Sequence, residues 1–189
     1  MNRKYKVLSK NNFSEQEFHI TPIRDKDRHN IMRWRNEQMY HLRQSIPLSK
    51  DEQDYYFKTR IAKLFDEEYP VQFLFSFLKN DKCIGYGGLV HINWKDSNAE
   101  ISFVMQTSEE SENFKKNWTI FLKLIEKVAF DHLEFKKIYI YSFDLRPKLY
   151  QVTNENHFIQ EARLKNHVFS GDAFFDVLIH SKFSNNEKS

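Results

Sequence analysis

Residues 83–106 read CIGYGGLVHINWKDSNAEISFVMQ, and their pattern decides the architecture. Ile84 to Ile92 is an apolar run broken by Gly85, Gly87 and Gly88, Asn93 to Asn98 is a polar turn, and Ala99 to Met105 is apolar again. Two apolar stretches joined by a short polar one predict a β-hairpin. Three of the four glycines in the chain fall in the first strand. Glycine weakens a strand, so either something approaches that backbone closely, or a bulge or tight crossing of core elements demands it.

The flanking segments extend the sheet. Upstream, Val71 to Leu78 (VQFLFSFL) is apolar throughout and predicts a strand buried on both faces. Downstream, TSEESENFKKN reads as a polar loop, and a helix is expected from about Asn117 to Leu133. Its Ile120, Phe121, Leu124, Ile125, Val128 and Ala129 share one face. Lys136 to Phe143 (KKIYIYSF) is the next strand. Strand, helix and strand in succession predict a right-handed parallel crossover, with the helix start near the carboxyl end of the Ala99 to Met105 strand. That is where open α/β sheets bind ligands and where helix amides attract phosphate.

Towards the amino terminus, residues 1–17 form a lysine-rich extension that either adds an edge strand or stays loose. Phe18 to Ile23 is a short strand with an edge-favouring Pro22. The first helix carries Ile31, Met32 and Trp34 and ends in Arg35-Asn36, whose donors face whatever lies opposite. Ser49 and Glu52 have capping-box spacing for a second helix expected to reach about Phe65. After Asp144, Pro147 opens a short helix, and Phe158 to Phe169 and Phe174 to Phe183 form a hairpin around Ser170-Gly171-Asp172. Residues 184–189 read as a tail.

Composition bounds the function. One domain spanning residues 1–189 is expected, long enough to bury roughly 70% of the unfolded surface without a metal or disulfide. A single cysteine, Cys83, and no charged-then-apolar leader suggest a reducing cytoplasmic setting. No apolar run reaches membrane-spanning length. The 29 basic and 26 acidic residues are interspersed, which argues against a nucleic-acid partner. With 18 Phe and 9 Tyr, the core is expected to be built on rings.

The order β α α β β β α β α β β, together with three segments, resembles the GNAT superfamily of acetyl-CoA-dependent N-acetyltransferases. HITPIRDKDRHNIMRWRNEQ is similar to the first strand and helix of the branch acting on ribosomal proteins, protein amino termini and bacterial amino sugars. IGYGGLVHINWKDSNAEISFVM is similar to its third and fourth strands, and ARLKNHVFSGDAFFDVLIHSKF to its closing hairpin. The resemblance implies an α/β (α+β) fold with a mixed, mostly antiparallel twisted sheet and flanking helices. It also implies direct acetyl transfer from acetyl-CoA to an amine, with no metal.

The resemblance further implies site residues. The donor arm would pair with the free strand edge at Phe103, Val104, Met105 and Gln106, in a gap where that strand parts from its neighbour. Glu100 stands where the branch carries its general base; the alternative is a structural carboxylate paired with Arg35 or a backbone donor. Tyr86 and His91, with Arg35 and Asn36, are the expected acceptor contacts. The family's pyrophosphate loop aligns with Asn113 to Trp118, where both small positions are lost; Lys115, Lys116 and Asn117 would hold the phosphates, and Trp118 is bulky enough to obstruct. Asp144 would stand near the pantetheine. Tyr150 or solvent would reprotonate the thiolate, the family's usual tyrosine being Thr153 here.

Two functions follow. One is an N-acetyltransferase acting on a small-molecule or peptide amine, such as a nucleotide-linked amino sugar or a protein amino group, as monomer or homodimer. The other is a non-catalytic GNAT-fold binding module.

Overall fold

The computed structural model describes residues 3–185. Most of the expected tail, residues 186–189, lies outside them. The elements are strands β1 (Phe13–Glu15) and β2 (Phe18–Pro22), helices α1 (Arg28–Glu37) and α2 (Lys50–Thr59), and strands β3 (Phe73–Lys79), β4 (Lys82–Asn93) and β5 (Asn98–Met105). They are followed by helices α3 (Thr107–Glu112) and α4 (Phe114–Glu126), strand β6 (Lys137–Phe143), helix α5 (Pro147–Glu155), and strands β7 (Ile159–Ser170) and β8 (Ala173–Phe183). One sheet joins the strands in the order β1-β2-β3-β4-β5-β6-β8-β7, antiparallel except for β5 beside β6.

Alternation along β3 to β5 assigns the two faces. Phe77 and Phe103 pack on Phe121 of α4, Phe103 stacked on it with centroids 4.0 Å apart. On the other face Ser76 donates to Asp27 at the start of α1, 2.7 Å away, and Leu74 and Tyr86 lie under Ile31 and Phe57. Each buried ring contributes about 1.5–3 kcal/mol. This is why a core rich in Phe can hold a sheet with helices on both sides.

Gly87 answers the question its strand raised. A Cβ there would stand 2.2 Å from the Ser102 carbonyl oxygen on β5 and 2.9 Å from the Phe121 ring. The approach is between neighbouring strands and the helix behind them, with no ligand required. At the end of the strand, register slips between Val90 and Asn93, and His91 adopts a positive φ of 48°. This β-bulge ends regular pairing beside the cavity described below.

Several boundaries differ from expectation. The amino-terminal extension adds β1 at the sheet edge and buries Tyr5, whose hydroxyl donates to the Leu74 carbonyl and accepts from the Leu74 amide, at 2.9 and 2.7 Å. α2 stops at Thr59 and passes into a 3-10 turn at Ile61–Lys63. α4 starts at Phe114, three residues early, and a π-helical turn, Lys127–His132, follows it. The polar loop TSEESE is the helix α3, with Glu109 and Glu110 in its first turn, where carboxylates complement the helix dipole.

Candidate active site

β5 and β6 are paired only at Asn98↔Lys137, Ala99↔Ile138 and Glu100↔Tyr139. Beyond Glu100 the strands part, and a cavity of about 590 Å³ opens between Ile101–Phe103 on one side and Ile140–Phe143 on the other. The Gln106 amide bonds the Ile84 carbonyl of β4. By strand alternation, the backbone groups of Ile101 and Phe103 therefore face away from β4; the Ile101 N–H is taken up by the last bridge to Tyr139, which leaves the Ile101 carbonyl and both groups of Phe103 facing the gap. The free edge is shorter than expected. Gln38, at the end of α1, donates to the Met105 carbonyl at 2.7 Å, Val104 is buried, and the Gln106 side chain bonds Ser108.

Glu100 is the last residue of β5 to be paired, and its side chain is only 6% exposed on the cavity floor. Its partner is Arg43, from the segment between α1 and α2, and not Arg35. Burial raises the carboxyl above its ordinary range, while Arg43 and His91 pull against that shift. Arg43 itself is half-exposed, with its guanidinium 4.4 Å from the centre of the Tyr141 ring. His91 lines the same cavity.

A second chamber of about 320 Å³ adjoins the first through Arg35, Gln72, Val90 and Ser102, which line both. Tyr56, Phe57 and Tyr86 form part of its wall. Arg35 donates to the Tyr86 hydroxyl at 2.7 Å and to Gln44 at 2.9 Å. Among the described residues it has no carboxylate partner. Asn36 turns elsewhere. Its amide donates to the Leu48 carbonyl and its oxygen accepts from the Leu48 and Gln44 N–H groups, all at 2.8–2.9 Å, so it ties down the loop before α2 instead of facing the cavity.

Two walls of the gap carry unpaired donors. The indole N–H of Trp118 and the hydroxyl of Ser142 are buried without hydrogen-bond partners, and both residues line the cavity. Trp118 does not plug the opening; it packs edge-on against Phe103, centroids 5.0 Å apart, and forms a wall. An extended arm bearing amides would satisfy these donors and the strand edge, so the gap suits a pantetheine.

The start of α4 is different. Asn113 and Asn117 both donate to one oxygen of Glu109, at 2.9 and 2.8 Å, so a carboxylate of the chain stands at the helix amino end. Lys115 pairs with Glu155 and Lys116 with Glu17 across the surface, and Asn117 is buried. The three residues expected to cradle phosphate are thus engaged within the protein. Arg146, paired with Glu110, lies 5.8 Å from the Trp118 ring centre; burial first, and then the charge of Arg146, drives the neighbouring His41 down to about 3. Tyr150 does not line the cavity. Its hydroxyl donates to Asp144 at 2.8 Å, and Asp144 in turn holds Arg163, so neither is turned to the gap. Burial, then Asp144, raises the Tyr150 hydroxyl well above the usual range.

Arg43, Trp118, Ser142, Arg146 and Glu109 were not singled out by sequence for these roles. Only the bulk of Trp118 in the first turn of its helix gave a signal.

The family model for the acetyltransferase (GNAT) domain matches residues 20–179. The chain belongs to that family. It is thus a GNAT acetyltransferase, using acetyl-CoA as acyl donor and an amine as acceptor. No curated protein sequence matches it significantly. Among solved structures, spermidine N-acetyltransferase from Vibrio cholerae in complex with CoA and spermine superposes with a TM-score of 0.77 at 18% identity, over 90% of this chain and 97% of that one. A dodecameric structure of the Vibrio enzyme in an intermediate state gives 0.76 at 18%, over 93% and 100%. At this identity the likeness is one of fold. No helix of the described residues is long and apolar enough to cross a membrane.

Proposed function

We propose that this GNAT acetyltransferase acetylates the primary amine of a small acceptor that also carries negative charge, with a nucleotide-linked amino sugar as the leading class. Arg35 carries the reading: a largely buried guanidinium with only neutral partners, at the junction of the two chambers. Buried charges ordinarily find counter-charges, and the acceptor would supply one. Arg43, paired with Glu100, and Arg146, paired with Glu110, line the same cavity.

The Vibrio enzyme acts on spermidine and was crystallised with spermine. A polyamine would bring several ammonium groups to this arginine-lined wall, which opposes the transfer of that substrate to this chain. Tyr56, Phe57 and Tyr86 give the adjoining chamber an aromatic lining suited to a nucleobase, which favours a sugar nucleotide over a peptide.

Acetyl-CoA supplies the acetyl group as a thioester. Ile101, Phe103, Trp118 and Ser142 would hold its arm in the gap. Glu100 would take the proton from the acceptor ammonium, leaving the nitrogen lone pair free to attack the acyl carbon. A C–N bond forms as the C–S bond breaks; the second amine proton is lost to solvent, and the departing thiolate takes a proton from solvent, because the Tyr150 proton is committed to Asp144. The one cysteine is buried as a free thiol, in keeping with a cytoplasmic setting.

The test is acetyl transfer monitored by thiol release, with a uridine-diphosphate amino sugar, spermidine and a peptide amino terminus as acceptors. The sugar nucleotide should be turned over fastest; preference for spermidine would refute the charge argument.

A further inference from the structure

Glu100 and Arg43 form an arrangement that the general chemistry of acetyl transfer does not call for. Among the described residues, the cation in hydrogen-bond contact with the carboxylate is a side chain 46% exposed to solvent, reaching in from the coil between α1 and α2. That coil carries a 3-10 turn at Met39–His41 and is tied to α1 through Asn36. A base held in a charge pair is a poor proton acceptor: Arg43 stabilises the ionised form and so weakens its basicity. The groups facing Glu100 are Arg43 from the coil, His91 from β4 and Tyr139 from β6, with Tyr141 beneath the Arg43 guanidinium.

Arg43 also lines the cavity with Arg35, so an anionic group on the acceptor would meet both guanidiniums. We propose that Arg43 is a latch on the base: an anionic oxygen group of the acceptor, phosphate or carboxylate, draws Arg43 off Glu100 and thereby frees the carboxylate to deprotonate the amine of the same molecule. This rests on the acceptor reading above and deepens it, since charge on the acceptor then governs catalysis as well as binding. Arg43 is a specificity-determining and positioning residue in this scheme, acting through Glu100.

A latch makes a prediction that a purely structural ion pair does not. Removing Arg43 should free Glu100 for every acceptor while depriving only anionic ones of a contact. The experiment compares the native protein with Arg43→Gln and Arg43→Lys. The acceptors are an uncharged-bodied amino sugar, its phosphate ester, a sugar-nucleotide form and an amino acid of similar size. The phosphate and carboxylate arms separate the two sources of anion.

The native protein should prefer the anionic acceptors by about ten- to a hundredfold in kcat/KM, the range of a charged hydrogen bond. Arg43→Gln should raise kcat for the neutral amino sugar and raise KM for the anionic ones, so that the preference collapses from both sides. Arg43→Lys should keep part of it. The pH at which activity rises should move upward in Arg43→Gln, since the cation that lowers the Glu100 carboxyl is gone. A parallel fall for all acceptors, or an unchanged ratio between them, would overturn the latch and leave the acetyltransferase reading intact. Failure of the native protein to acetylate any of them would instead overturn both.

Discussion

Replacing Glu100 by Gln keeps the shape of the side chain and removes its charge and its ability to accept a proton as a base. If Glu100 is the general base, turnover should fall by about 10²–10⁴-fold, the usual contribution of such a group. Stability should barely move, because two effects oppose each other. The variant loses an ion pair whose cation is 46% exposed, worth at most about 1 kcal/mol. It also relieves the chain of a buried charge whose burial raises the carboxyl above its ordinary value of 4.5.

The net change should lie within about 1 kcal/mol, or roughly 4 °C in Tm for a chain of this length. Its pH dependence has a definite sign. With the folded value raised, the folded chain holds the Glu100 proton where the unfolded chain has released it. That stability is full below 4.5 and is lost as pH rises through the folded value. Glu100→Gln removes this loss, so its Tm relative to the native protein should improve from pH 4 to pH 8. Thiol-release kinetics, thermal unfolding at both pH values and calorimetric binding of acetyl-CoA make the comparison. Turnover within about threefold of native would remove Glu100 from the base role. A collapse of Tm together with activity would make it a structural carboxylate.

Glu109→Gln should strengthen acetyl-CoA binding several-fold, because it removes a negative charge from the amino end of α4, where Asn113 and Asn117 now hold it; the gain should shrink with salt, and calorimetry at two ionic strengths reads it. Equal or weaker binding would place the phosphates elsewhere. Gly87→Ala should destabilise the fold by about 1–3 kcal/mol, a Tm loss of roughly 2–12 °C, since its Cβ would stand 2.2 Å from a backbone oxygen that cannot step aside. Thermal unfolding with no measurable loss would show that β4 and β5 can separate there.

The hairpin of β4 and β5, the apolar stripe of α4 and the parallel placement of β6 were legible because each rests on a local period of apolar residues. Glu100 could be singled out through the resemblance, because it stands where that branch carries its general base, a carboxylate amid apolar neighbours. Its true partner could not. Arg43 lies in HLRQ, a stretch without periodicity, and meets a carboxylate 57 positions away in sequence; Arg35, nearer the end of the helix, looked the better choice. α3 was hidden because TSEESE has no apolar stripe and exists through its dipole-matched carboxylates and its contacts with α4. Asn36 sits beside Arg35 in sequence but on another face of the helix, and only the path of the following loop decides that it holds Leu48. The engagement of Lys115 and Lys116 by Glu155 and Glu17 joins residues 40 and 99 positions apart, a distance at which sequence pattern carries no signal.

Amide hydrogen exchange at Phe103, with and without saturating acetyl-CoA, probes the parted strands directly. The Phe103 amide, which faces the gap beyond the last bridge to β6, should exchange faster than those of Ser102 and Val104 in the free protein and become protected when the donor arm takes its place along β5. Exchange at Phe103 that is already as slow as at its neighbours, or that saturating acetyl-CoA leaves unchanged, would contradict the account.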